Sequence, residues 1–358
     1  MRTITTLEGN SQRLDGGAMF GNAPKALWSR WVDADDQNRI ALSCRAMLVQ
    51  EDDRNILVET GIGAFFAPNL KSRYGVVEDR HVLLDSLAEI GLTDADIDVV
   101  VLTHLHFDHS GGCTKLDRSG SAVPTFPKAE YMVQKSCWDE ARDPNERFED
   151  SFHKDDFLPL KEKGVHKTID GDTEVMPGVN VKVTDGPSRG HQIVLVERGS
   201  ERIAFASDLI PTPYHLPLPH ISATDEFPNG TLEQKKELLE MAVNGGWLMV
   251  FGHGHDYRAG SSEPAEFDLR GIEQSYDHHG TDIVDDRNGE EEQAQRCRAA
   301  IPQQTQYAHG KGNVRRRRNC PAAHQFGIAA DHADIDQGRD CHARNRCKNW
   351  QAAGFSGR

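Results

Sequence analysis

The stretch VVVLTHLHFDHSGG, residues 99–112, constrains this chain most: a run of β-branched and aliphatic residues ends in three histidines and one aspartate within six positions. A strand apolar enough to be buried on both faces belongs inside a layered structure. His104 and His106 lie two apart, so in an extended segment both imidazoles point to one side and can grip a single ion. Asp108 and His109 follow where the chain must turn and can face a second ion. Ser110, Gly111 and Gly112 then let the backbone close around the site before a helix begins. Imidazole nitrogen and carboxylate oxygen are donors that Zn²⁺ takes at about 2.0–2.2 Å, and two ions about 3.5–4 Å apart form a hydrolytic pair. A chance cluster of surface histidines is the competing account, and the density of ligand types at a strand's end argues against it.

The rest of the chain up to about residue 258 alternates strand-like and helical patterns, as a layered α/β structure requires. IALSCRAMLVQ (40–50) and NILVETGIG (55–63) are expected as a hairpin around EDDR. Val82, Leu83, Leu87 and Ile90 fall at helical spacing before Gly91. AEYMVQ reads as a strand and KSCWDEAR as a short helix. GVNVKVTDG, HQIVLVERG and ERIAFASDL are three more strands. TLEQKKELLEMAVNGG is a helix with Thr231 as N-cap and Leu232, Leu238, Leu239 and Val243 inward. WLMVFGH is the last strand expected.

Residues 263–358 differ in character. Leu269 is their single leucine, and the other large apolar residues lack period. Such a segment cannot offset the roughly 1–2 kcal/mol per residue of backbone entropy that ordering costs, so a disordered tail is expected. Its composition also matches translation in a shifted reading frame, which resequencing the DNA around the Gly260 codon tests. A nucleic-acid patch at Arg315–Arg318 and a metal knuckle of Cys320, His324, Cys341, His342 and Cys347 both lack support, since the spacings match no C-x2-C pairing, and a solvated tail is the better reading. The chain thus divides into a domain at 1–262 and a tail at 263–358.

A formal net charge of -15 argues against a nucleic-acid partner, because an acidic surface repels phosphate. No stretch reaches the roughly 18 apolar residues needed to cross a bilayer, which points to no membrane association and a cytoplasmic location. Seven cysteines at irregular spacing read as free thiols, with Cys44, Cys113 and Cys137 as packing residues. A homodimer is compatible with the sequence, which does not specify oligomeric state.

A two-ion site needs further ligands, and other strand ends supply them. His191 follows Gly190 where a strand begins, Asp208 closes IAFASDL, and His253 and His255 follow WLMVFG. Each alone is more often a structural residue; together they make up the count.

THLHFDHSGG, with the later Gly-His, the Asp closing a strand and the late FGH, resembles the metallo-β-lactamase superfamily, within it the branch of N-acyl-homoserine lactonases and methyl parathion hydrolase-like enzymes. The resemblance extends over roughly residues 10–260, including GGAMFGNAPKALWSR. It implies a four-layer αβ/βα sandwich, with two mixed sheets face to face, helices outside and two Zn²⁺ ions (iron or manganese as alternatives) along one edge. By motif, His104, His106 and His191 would hold the first ion. Asp108, His109 and a late histidine would hold the second, with Asp208 bridging. Ungapped alignment through VFGH selects His253, and the family's common HD pair would select His255.

The implied activity is opening of an ester or lactone in a small-molecule substrate by a hydroxide shared between the metals, with Asp108 as proton shuttle. Departures from the pattern are Glu59 in ETG, where Asp is common, and Pro211 where lactonases of this type carry a substrate-contacting tyrosine; Tyr214 and His215 lie further on. Rival activities are hydrolysis of a thioester, β-lactam or phosphoester, an iron-dependent oxidoreductase, or a metal-binding protein without turnover, since fold does not choose among them.

Overall fold

The structure, a computed structural model, describes residues 2–66, 68–262 and 281–285. Side-chain alternation along the central strands sets the layering. Met47, Val49, Ile56, Val58, Val99 and Val101 point to one side. There they meet Val179, Val181, Val194, Val196, Phe205 and Val250 of a second sheet in one buried cluster. The intervening Leu48, Leu57 and Val100 point the opposite way, toward Leu83, Leu87, Trp138, Ala141, Phe157 and Leu160. Those residues belong to the helices Val82–Glu89, Lys135–Arg142 and Lys154–Glu162. On the far side of the second sheet, Ile193, Ala204 and Met249 pack on Leu238, Leu239 and Ala242 of helix Pro228–Gly245. Burial of each such side chain contributes on the order of 1.5–3 kcal/mol. The result is helix, sheet, sheet, helix: the expected αβ/βα sandwich.

The first sheet has six strands, in the order Arg2–Leu7, Ala46–Glu51, Arg54–Val58, Val99–Val101, Glu130–Gln134 and His166–Ile169. Its first three strands are antiparallel and the rest join in parallel. The second has seven, from Thr173–Met176 through Val179–Val183, Gln192–Arg198, Glu201–Phe205, Leu248–Val250 and Tyr257–Ser262 to Thr281–Asp285. Glu201–Phe205 and Leu248–Val250 run parallel, so Asp208 and His253 leave the sheet at the same end.

Several expectations need correction. Residues 40–50 are not one strand. Arg39–Ser43 pairs with Ser11–Asp15 in a separate two-stranded sheet, and Ala46–Glu51 begins the hairpin with Arg54–Val58. The break at Cys44 and Arg45 is held from outside both ladders, by Cys44 N–H on Asn10 O and Arg45 N–H on Gly252 O. Apolar periodicity cannot reveal it, because both halves are buried. The helix expected after Gly112 lies before it, at Phe107–Ser110, and Thr114 begins a strand.

Thr231 is not an N-cap either. Pro228 starts that helix, and the Thr231 hydroxyl donates to Asp225 from inside it. Lys235 and Ala242 take the inward positions beside Leu238 and Leu239, leaving Leu232 and Val243 half-buried. Ile90 is exposed. WLMVFGH is followed by a further strand, Tyr257–Ser262, against which Thr281–Asp285 pairs. The remainder of 263–358, with the Arg315–Arg318 run and the late cysteines, lies outside the described residues.

Candidate metal centre

Buried strand Val99–Val101 delivers its exit segment to the ends of the second sheet's strands. His106 precedes the short helix Phe107–Ser110, which brings Asp108 and His109 back toward His104. Gly111 and Gly112 press this turn against the exit of the neighbouring strand. A Cβ on Gly112 would sit 2.2 Å from Thr60 O, and one on Gly111 2.4 Å from Ile62 O. Gly190 is left-handed, with φ +68°, and a Cβ there would meet Cys137 N at 2.5 Å; that close passage brings His191 inward.

The structure gathers the seven residues singled out by motif. His104 Nε2 lies 3.0 Å from His106 Nδ1 and 3.5 Å from Asp208 Oδ2. The His104 and His191 ring centroids are 5.2 Å apart. Asp208 Oδ1 is 3.1 Å from His109 Nε2 and 3.0 Å from His253 Nε2. Asp108 joins through Oδ1, 3.8 Å from His109 Nε2, and Oδ2, 3.7 Å from His253 Nε2. His253 is buried, whereas His255 is exposed.

Outer contacts aim the imidazoles. Nδ1 of His104 meets Thr103 Oγ1 at 3.0 Å, that of His191 meets Thr184 Oγ1 at 2.6 Å, that of His109 meets Glu59 Oε2 at 3.1 Å, and that of His253 meets Ser43 O at 2.7 Å. Each Nε2 is thereby turned to the centre, the arrangement by which proteins orient metal-ligating histidines. His106 faces His104 through Nδ1 instead. Fully buried His191 Nε2 has no hydrogen-bond partner, a costly state for a polar atom unless an ion completes it.

Charge supports the same fit. Burial lowers His104 well below the usual histidine range, helped by His109 and His106, and takes His106 to about 4 and His191 to about 3. These imidazoles stay neutral, the ligating form. Burial also works against a charge on His109, but Asp208, Asp108 and Glu59 outweigh it and raise its pKa well above the usual value. His253 is raised against its burial by its bond to Asp208. Asp208 in turn is held well below the carboxylate range, burial being overcome by His109 and His253. The carboxylates thus demand positive charge, which protons supply here and which divalent cations would supply equally. Donor types, count and charge fit a pair of such ions.

Gln12 and Ser207 were not legible in the sequence, whereas Glu59 was visible there in ETG. Gln12, fully buried, donates from Nε2 to Asp108 Oδ2 at 2.6 Å. Glu59 and Ser207 both adopt left-handed backbone, φ +69° and +47°, next to site residues, a local cost the surroundings sustain. Thr103 links the strands through Ser207 Oγ at 2.8 Å. Cys44, expected as packing, shares a cluster with Asp108 and His253 in which one donor atom of each lies within 4.8 Å of the others. Cys113 and Cys137 are buried free thiols.

The loop after Asp208 is built from structural contacts. Pro211 O accepts the His253 N–H at 2.9 Å. His215 has both ring nitrogens engaged, Nδ1 with Thr212 Oγ1 and Nε2 with Met19 O, and it stacks on Phe20 at 4.7 Å. Burial lowers it to about 3, so it stays neutral. Tyr214 stacks on Trp31 at 6.3 Å. No helix among the described residues is long and apolar enough to cross a membrane.

A four-layer αβ/βα sandwich with imidazoles and carboxylates gathered at its strand ends defines the class: a metal-dependent hydrolase. The family model of the metallo-β-lactamase superfamily matches residues 39–253, and the chain belongs to that superfamily. It is 24% identical over 235 residues to an N-acyl homoserine lactonase of Bacillus cereus, covering 62% of this chain and 86% of the relative. Among solved structures, a probable metal-dependent hydrolase from Staphylococcus aureus superposes with TM-score 0.69 at 30% identity, covering 74% of this chain and 93% of the other. The dizinc quorum-quenching lactonase AidC, in complex with a product, superposes with TM-score 0.61 at 17% identity, covering 79% and 94%. That last likeness concerns the fold.

Proposed function

We propose that the chain opens ester or lactone bonds with two divalent ions, zinc first among the candidates. His104, His106 and His191 hold one ion, Asp108, His109 and His253 the other, and Asp208 is shared. The proposal rests on the division of Asp208: Oδ2 faces His104 Nε2 at 3.5 Å, while Oδ1 faces His109 and His253 Nε2 at 3.1 and 3.0 Å. One carboxylate whose two oxygens address two imidazole groups suits two ions rather than one.

When bound, such ions lower the pKa of a water between them from 15.7 toward 7 and polarise a carbonyl oxygen. Glu59, Thr184, Ser43 and Thr103 fix the imidazole orientations on which that depends. Asp108, tethered through Oδ2 by Gln12, keeps Oδ1 to take a proton and return it to the leaving oxygen.

An aromatic cluster braces the short helix that carries Asp108. Phe107 packs on Tyr74 at 4.5 Å and Phe66 at 5.2 Å, with His153 stacked at 5.5 Å, forming an aromatic wall at the metal loop. The lactonases among the relatives agree with an acyl ester or lactone.

A panel of N-acyl lactones, aryl esters, thioesters and phosphotriesters on zinc-loaded full-length protein tests this. Turnover of lactones or aryl esters is expected. A fully metallated protein inactive on the whole panel would remove the hydrolytic reading, and elemental analysis finding iron with oxygen uptake would replace it.

A further inference from the structure

We infer that Cys44 is a sulfur ligand of the second metal position, beside Asp108, His109, His253 and Asp208; the inference rests on the two-ion reading above. One donor atom each from Cys44, Asp108 and His253 lie within 4.8 Å of one another, a span that ligands of one ion occupy. The thiol is only 2% exposed, so solvent does not compete for it.

Its placement follows from the backbone rather than from a mobile side chain. Cys44 sits at the break where the chain leaves one sheet for another. The residues on either side both grip the late histidine segment: Ser43 O takes His253 Nδ1 at 2.7 Å, Ser43 N–H reaches His253 O at 3.4 Å, and Arg45 N–H donates to Gly252 O at 2.9 Å. The buried Arg45 guanidinium adds Phe251 O at 2.9 Å and Gly254 O at 2.8 Å. On the other side Cys44 N–H is held by Asn10 O, and Gly9 passes so close that a Cβ there would lie 2.1 Å from Cys44 O. The thiol therefore keeps its position relative to His253 and Asp108.

The competing account is packing, since Cys44 also touches Ile62, Val76 and Phe107. Packing explains its apolar neighbours, and a hydrogen bond to His253 its approach to that imidazole, but neither gives a reason for its approach to the Asp108 carboxylate. Coordination explains both approaches. On binding, the S–H proton leaves to solvent and a thiolate–metal bond forms, so the second position takes up its ion with release of one more proton than histidine and carboxylate ligands alone would give. A thiolate also biases the position toward zinc and away from manganese, which prefers oxygen donors.

Cobalt reconstitution of the chelator-stripped full-length protein tests this without reference to activity. The wild type should take up two ions, with visible ligand-field bands and a near-ultraviolet thiolate-to-cobalt charge-transfer band. Cys44→Ser should lose the charge-transfer band and keep ligand-field bands. Two bound ions without a charge-transfer band overturn the inference and leave the two-ion reading standing, as does a band that survives in Cys44→Ser. Failure of the wild type to bind two ions removes the two-ion reading and the inference with it. If Cys44→Ser does not fold, zinc X-ray absorption on the wild type decides: a sulfur scatterer at about 2.3 Å is expected, and nitrogen and oxygen alone overturn the assignment.

Discussion

Glu59 Oε2 lies 3.1 Å from His109 Nδ1 while its Oε1 accepts the Thr103 N–H at 2.8 Å, so one buried carboxylate braces an imidazole and the strand exit that carries His104. Glu59→Gln should fold but satisfy only one of the two contacts. A loss of roughly 10–100-fold in metal affinity or kcat/KM is expected for a broken outer contact of this kind. Isothermal titration and steady-state kinetics measure it; unchanged values would show that Glu59 does not orient His109.

Asp208→Ala removes the carboxylate shared between the two imidazole groups. Metal content per chain should fall below two, and activity should be lost with it. Elemental analysis beside turnover checks the pair; a variant with two ions and full turnover would sink the shared-ligand model.

His253 and His255 differ by two positions and by burial. His253→Ala should lose one ion and most activity, whereas His255→Ala should leave both within a factor of about two, as surface changes usually do. The opposite ranking would move the late ligand to His255.

Asp225 offers a pH test on a residue outside the donor set. Burial, with the charge of Asp208 adding to it, raises its pKa from 3.8 to about 7, against the pull of the Thr231 hydroxyl bond and of Lys235. Between roughly pH 4 and 7 the folded chain keeps a proton that the unfolded chain has lost, so stability falls as pH rises through that window, by on the order of 4 kcal/mol. Lys235, lowered to about 7 by burial, gives an opposite slope above pH 7, so wild type and variant must be compared. Asp225→Asn should gain stability relative to wild type progressively between about pH 4 and pH 7 in urea denaturation, and hold that gain above it. A difference independent of pH would contradict the raised pKa.

Much of this protein was readable because short-range patterns survive folding. Alternating and continuous apolar runs identified the central strands and the helices Val82–Glu89, Lys135–Arg142 and Pro228–Gly245, since burial of one or both faces imposes those periods, whereas Lys154–Glu162 escaped them. His104, His106, Asp108 and His109 were legible as a group because one strand exit and one turn carry them all. Cys44 and Arg45 were not: both flanking segments are buried, so periodicity runs on unbroken, and only their contacts to Asn10 and Gly252 reveal the break. Thr231 has the chemistry of an N-cap and lies inside the helix, because Pro228 starts it a turn earlier and Asp225 claims the hydroxyl.

The sequence by itself supplied the alternation of strands and helices and a set of candidate donors, because local periodicity and ligand chemistry are written in residue type and spacing; the four-layer arrangement was legible only through the family resemblance. Only the tertiary structure decided which oxygen of Asp208 meets which imidazole, that Glu59, Gln12, Thr184 and Ser43 hold those groups in place, and that a cysteine 64 positions before Asp108 stands beside it. Those relations join segments far apart in the chain, and the distances between them are set by how strands of two sheets pair and pack.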